Sequence, residues 1–235
     1  MRSTGLQQYI LEYADKHIYF SLDKLRRYFS SEDITFKENT LKQYLYELTR
    51  NQELFDAGKG WYSSLSNRCR IDRAPVEDLG RRMLNNFPLL SFSCWSTRQV
   101  QPYTHHLQSG FITFIFIDRD LLEAVTTQLI ESGYDAFENP GKREFDKFVT
   151  HSGERPLIIV RPAISQEPVD GHFATVEKIL VDLYIEKDRS FLMDAQEYKR
   201  VFLNLITSCR VNMAKLLRYS GRRKVRRDIE LIINL

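Results

Sequence analysis

The sequence has little of what marks many small functional classes. Of 235 residues only three are cysteine, at positions 69, 94 and 209. Cys69, Cys94 and Cys209 are odd in number and far apart. They match neither a disulfide framework nor zinc-ligand spacing, so they read as buried or incidental thiols in a reducing compartment. No run reaches the roughly 18 apolar residues of a membrane span, and MRSTGLQQYI lacks the apolar stretch of a signal peptide. A cytoplasmic location is therefore expected, with no membrane partner. There is no internal repeat, no low-complexity segment, no Walker phosphate loop and no Gly-x-Ser-x-Gly elbow. What is present is an ordinary globular composition, 43% hydrophobic, long enough for one or two domains with a substantial core.

Net charge is also nearly absent, at +3, but the balance is uneven along the chain. Residues 1–70 carry 11 basic and 9 acidic side chains, and residues 209–235 carry 8 basic and 2 acidic. The stretch between them is acidic. The basic end is densest in GRRKVRRDIELIIN, at Arg222, Arg223, Lys224, Arg226 and Arg227. Such a patch suits a polyanion or an acidic protein surface, although a solvated helix face has the same composition. Gly221 reads as a helix terminator ahead of it. Ile229, Ile232 and Ile233 form an apolar seam behind it.

The most informative segment is TFKENTLKQYLYELTRNQELFDAGKGWY, residues 35–62. Thr35 followed by Glu38 forms a capping-box pattern. At about 100° per residue, Leu41, Leu45 and Leu48 fall on one side of the helix and Asn39, Gln43, Tyr46 and Arg50 on the other. Glu53 to Phe55 and Trp61-Tyr62 read as strands around Ala57-Gly58-Lys59-Gly60, a turn with positive-φ glycines and a basic tip. Before this come a helix with Leu6, Tyr9, Ile10 and Tyr13 in register, then a shorter one with Ser21 as N-cap and Phe20 stapled to Leu25. Helix, short helix, longer helix and hairpin within about 66 residues is the order of a winged helix-turn-helix. A small helical domain that touches protein instead would show the same order. The polar outward face favours DNA, while Glu38 and Glu47 would repel phosphate if they faced it.

Residues 63–74 are polar and read as a connection. The expected organisation is a winged helix over 1–66 and a mixed α/β domain over 75–235, α+β in class, with a helical C-terminal end. Helices are expected from Pro75 to Asn86, from Leu121 to Ser132 with Gly133 as terminator, and from Thr175 onward. Three further helical segments should start near Asp194, Arg210 and Arg223. Strands are expected at Leu89–Trp95, Phe111–Ile117, Tyr134–Glu138 and Pro156–Val160. FITFIFI is a nearly continuous apolar run of seven, suited to a sheet interior.

Catalytic readings are weaker. Asp118-Arg119-Asp120 follows a strand, where nucleotidyltransferases hold a divalent metal between two carboxylates. However, the Gly-Ser turn those enzymes need is reversed here as Ser109-Gly110, and Asp118 equally suits an N-cap with Asp120 in the first turn. A nuclease-like Glu-x-Lys is not matched by Glu144-Phe145-Asp146-Lys147 or Glu177-Lys178. His105 and His106 point opposite ways in extended chain, and His17, His151 and His172 have no ligand-spaced partners. The residues point to a protein without catalytic, metal or cofactor chemistry. The alternative is an enzyme using Asp118 and Asp120 with a divalent metal.

The phrase YLYELTRNQELFDAGKGWYSS resembles the winged helix of AbiEi-type antitoxins of type IV toxin–antitoxin systems. FIFIDRDLLEAVTTQLIESGYDAF, FATVEKILVDLY and VNMAKLLRYSGRRKVRRDIE resemble the body and tail of the same group. The resemblance implies a phage-defence regulator that represses its own promoter at inverted repeats and counteracts a nucleotidyltransferase toxin. It implies a functional link to that toxin, not direct contact. The implied readout face is Asn39, Gln43, Tyr46 and Arg50, with Lys59 and Trp61 on the wing. Asn39 and Gln43 would address adenine, Arg50 guanine or phosphate, and Lys59 phosphate. Glu177, Lys178 and Asp182 match the family's Glu-Lys then Asp pattern. A helix start with a Lys178–Asp182 pair explains the same residues. One such module reads few base pairs, so a homodimer or two copies on a repeat is expected.

Overall fold

The computed structural model describes residues 5–105, 110–145, 156–190 and 192–233. The chain divides into two compact units, one of Met1–Cys69 with Leu205–Arg218, the other of Arg70–Asn204 with Tyr219–Leu235. The class is mixed α+β with a helical C-terminal end. No helix among the described residues is long and apolar enough to cross a membrane.

The first unit opens with α1 (Gly5–Lys16), β1 (Tyr19–Ser21), α2 (Leu22–Ser31) and α3 (Glu38–Arg50), then β2 (Phe55–Asp56) and β3 (Trp61–Ser63). β3 lies between β1 and β2 in a small antiparallel sheet. The leucine stripe explains α3: Leu41, Leu45 and Leu48 join Ile10, Tyr13, Phe20, Leu25 and Phe29 in one core. Ser21 caps α2 by accepting a hydrogen bond from the Lys24 amide at 3.2 Å, and Phe20 and Leu25 share that core. The Thr35–Glu38 capping box does not form. Glu38 is itself the first helical residue, preceded by Lys37 as an N-cap without a side-chain bond. From that position its carboxylate cannot reach back, and it is taken instead by Arg26 of α2 and by Lys42.

Leu205–Arg218 completes this unit. The Tyr19 hydroxyl donates to the Cys209 carbonyl at 3.0 Å and accepts from the Val211 amide at 2.8 Å. The Arg210 guanidinium donates to the carbonyls of Leu65 and Ser66 at 2.6 and 2.7 Å. These bonds bring Cys209 beside Cys69, and a disulfide joins them with a Cα–Cα distance of 4.7 Å. This corrects the reading of all three cysteines as free thiols. The partners lie 140 residues apart, a separation with no local spacing to read. Cys94 is free and buried.

The second unit holds α4 (Ala74–Asn86), β4 (Phe92–Ser96), β5 (Ile112–Ile117), α5 (Leu122–Glu131), β6 (Asp135–Glu138) and β7 (Leu157–Pro162). These are followed by β8 (Val169–Asp170), β9 (Phe173–Ala174) and α6 (Val176–Arg189). Then come α7 (Ala195–Ser208), α8 (Met213–Arg222) and α9 (Arg226–Ile233), of which the end of α7 and most of α8 belong to the first unit. The sheet order is β6-β7-β5-β4-β9-β8, with β5, β6 and β7 mutually parallel and β4 antiparallel to β5.

Alternation along β5 sends Ile115 and Ile117 into a core with Val76, Leu79 and Met83 of α4 and Val125 and Leu129 of α5. Phe114 and Phe116 point the other way, where the Lys178 ammonium of α6 lies 3.5 Å from the Phe116 ring centre. Burial on both faces is why this strand shows no polar alternation. Gly133, at φ +88°, ends α5 as read from sequence.

Gly221 is not the terminator of α8, which runs on to Arg222. The stop falls on Lys224, at φ +61°. Its amide donates to the Gly221 carbonyl at 3.1 Å, and that of Val225 donates to Ser220 at 2.9 Å. This paired pattern normally places glycine where Lys224 stands.

Candidate functional site

On the first unit, α3 turns its core stripe inward and leaves Asn39, Lys42, Gln43, Tyr46 and Arg50 exposed. Tyr46 is 67% exposed. Gly58 and Gly60, at φ +104° and +74°, form the turn between β2 and β3. Lys59 stands exposed at its tip, and Trp61 is half-buried at its base.

Both acids that would oppose an anion are already engaged. Glu38 is bonded to Arg26 and Lys42, and the Arg26 hydrogen bond holds its carboxyl below the ordinary range. Glu47 accepts from Gln7 and from Gln43, each at 3.0 Å. Gln43 therefore spends its amide hydrogens partly within the helix, a constraint that its position in the sequence does not show.

On the second unit, the expected trio of Glu177, Lys178 and Asp182 lies in α6 and is buried. The Lys178 ammonium donates to Asp182 at 2.7 Å and to the Tyr219 hydroxyl at 3.0 Å, and pairs with Glu167 at 3.1 Å. Tyr219 donates in turn to the other Asp182 oxygen at 2.8 Å. Glu177 takes a hydrogen bond from Thr175, at the start of the helix. Next to this cluster, Arg161 of β7 makes a two-pronged pair with Glu186 at 3.1 and 2.7 Å and also donates to the Pro140 carbonyl at 2.6 Å. Sequence reasoning missed Arg161, Glu167, Glu186 and Tyr219. The single cation interrupting the apolar run LIIVRP was the available signal, because a buried guanidinium demands a carboxylate.

Just outside these pairs, a cleft of about 700 Å³ opens at the carboxyl ends of β5 and β7. Asp118 and Arg119 follow β5, Ala163 to Ser165 follow β7, and Arg189 closes α6. Arg222, Arg223 and Lys224 reach it from the end of α8. Arg226 and Arg227, grouped with them in sequence, do not line it. Arg226 pairs with Glu230 at 2.8 Å.

Asp118 accepts a hydrogen bond from the Asp120 amide at 3.3 Å, which is the cap geometry weighed against metal binding. Ser109, His106, Asp146, Lys147 and His151 lie outside the described residues. His105 offers its backbone amide to Glu197 at 2.7 Å. His172 stacks on Phe92 with its Nδ1 at 3.2 Å from the Phe92 carbonyl. Among the described residues, no three His, Cys, Asp or Glu side chains form a group that could hold a metal ion.

The molecule is thus a mixed α+β protein with an exposed polar helix face on one unit and a cationic cleft on the other. A family model matches residues 40–235, and the chain belongs to that family, DUF6577, a family of unknown function. No curated protein matches the chain.

Proposed function

We propose that the protein is a DNA-binding autorepressor and antitoxin whose first unit acts as a winged helix-turn-helix. The observation that carries this reading is the exposed row Asn39, Gln43, Tyr46 and Arg50 on α3, in the same unit as the exposed Lys59 of the hairpin. Asn39 and Arg50 supply base-edge chemistry, Lys59 supplies phosphate neutralisation, and the engaged states of Glu38 and Glu47 soften the repulsion that they would otherwise exert. The order of helices and the three-stranded sheet support the winged-helix assignment. In this reading the protein works without a catalytic step and binds inverted repeats as a homodimer or as two copies. The antitoxin half rests on the resemblance of the body to the AbiEi group, and its counterpart is a nucleotidyltransferase toxin.

Fluorescence anisotropy of the full chain on its own upstream DNA tests the repressor half. Arg50→Ala should weaken binding by about 1–3 kcal/mol and relax specificity at one position, whereas Lys59→Ala should lower the salt slope by about 1 for every sequence. An absence of salt-sensitive affinity for that DNA would overturn the reading. For the antitoxin half, co-expression with a nucleotidyltransferase encoded beside the gene should restore growth. Persistent toxicity with soluble protein present would refute it.

A further inference from the structure

The cations lining the cleft on the second unit outnumber the acids that meet them. Arg119, Arg189, Arg222, Arg223 and Lys224 line it against the single carboxylate of Asp118. In the layer beneath, Lys178 meets Asp182, Glu167 and Tyr219, and Arg161 meets Glu186, so two cations face three carboxylates. That layer reaches Arg189 through Glu186 at 4.0 Å and Arg223 through Asp182, and none of its carboxylates pairs with Arg119, Arg222 or Lys224. Arg119 and Lys224 make no ion pair among the described residues. Arg223 is 89% buried by its side-chain exposure of 11%, and its closest acid, Asp182 Oδ1, is 3.6 Å from Nε. That Nε has no hydrogen-bond partner. Burial first, and then the neighbouring Arg161, push the Arg189 guanidinium below its ordinary range, while Glu186 opposes them.

A second observation is conformational. Lys224 holds the left-handed backbone that glycine adopts without strain, while a glycine stands three positions earlier at Gly221. That backbone holds Lys224 at the mouth of the cleft, where its charge is open to a ligand. The location agrees, because open sheets with parallel strands bind ligands outside the carboxyl ends of those strands. At about 700 Å³ the cleft is far larger than orthophosphate needs. Ile164, Ile185 and Val225 also give it an aliphatic wall.

We infer that this cleft is a binding site for a nucleoside triphosphate, its phosphates held by Arg119, Arg223 and Lys224 and its nucleoside laid against Ile164, Ile185 and Val225. The inference is independent of the operator-binding reading, which concerns the first unit.

Isothermal titration of the full chain with ATP, GTP, tripolyphosphate, orthophosphate and a short thymidine oligonucleotide tests it. One nucleoside triphosphate should bind per chain, more tightly than tripolyphosphate and far more tightly than orthophosphate. Arg119→Gln and Lys224→Gly should each weaken it by about tenfold, the usual scale for one charge-assisted contact to phosphate. Lys224→Gly should at the same time raise the melting temperature, because it relieves the left-handed strain, so its loss of binding cannot be ascribed to misfolding. No triphosphate binding at low salt, or equal affinity for tripolyphosphate, would overturn the site. Oligonucleotide binding without triphosphate binding would do the same. So would a parallel loss of operator affinity in both variants, which would make these cations part of a DNA surface.

Discussion

At the scale of single residues, the second unit is organised around charges taken out of water. Lys178 and Asp182 are both fully buried, and such a pair is worth little net but is costly to break. Lys178→Met should destabilise the protein by about 3–5 kcal/mol, because it takes the ammonium away from the buried Asp182 and Glu167 carboxylates. Adding Asp182→Asn should recover part of this, since the amide needs no cation and can still accept from Tyr219. Urea denaturation followed by circular dichroism measures both, and an unchanged midpoint in the single variant would refute the structural role.

The buried tyrosines add a pH limit. Burial raises the phenols of Tyr198 and Tyr219 well above the ordinary value of 10.0, with Asp182 adding to the effect at Tyr219. In the unfolded chain these phenols ionise near pH 10 and in the folded chain they do not. Their contribution is complete below pH 10 and falls as pH rises above it. Unfolding free energy should decline from about pH 10 upward, and Tyr219→Phe should flatten that decline in a pH-stepped denaturation series.

Elements show what pattern alone can say. The three leucines of α3 revealed its inward face because period 3.6 leaves one choice for a helix of that length. FITFIFI revealed a sheet interior because a run of seven residues broken only by Thr113 suits a strand covered on both faces. The hairpin glycines were legible as a positive-φ turn, but not the reason they differ. A Cβ on Gly60 would meet nothing within 4 Å, whereas one on Gly58 would fall 2.2 Å from Asn212 Oδ1 and 2.7 Å from the Ala214 Cβ. Gly58→Ala should therefore cost about 2–4 kcal/mol, strain and overlap together, and Gly60→Ala about 1 kcal/mol from backbone strain alone. Thermal melts of the two variants check the ordering. The capping box at Thr35 was misread because the rule assumes where the helix starts, and the Arg26 guanidinium on another helix decided what Glu38 does.

On the scale of the whole chain, the first unit joins Met1–Cys69 to a distant later segment, Leu205–Arg218. Its disulfide closes a 140-residue separation, and reducing it should cost about 2–4 kcal/mol. Peptide mapping under non-reducing conditions should show Cys69 linked to Cys209. Cys94 should resist alkylation until the protein unfolds, because burial pushes its thiol up to about 12. A freely alkylated Cys69 in native, non-reduced protein would contradict the linkage.

By itself the sequence determined the kinds of element, their order and which faces are apolar, since these follow from local periodicity and turn chemistry. It also marked the exposed polar row of α3, because burying its leucines leaves those residues no other side. Only the tertiary structure decided which distant groups meet: Cys69 with Cys209, Lys178 with Glu167 and Tyr219, and Arg119 with Lys224 around one cleft. Such meetings depend on how strands and helices are stacked in space. No spacing along the chain encodes them.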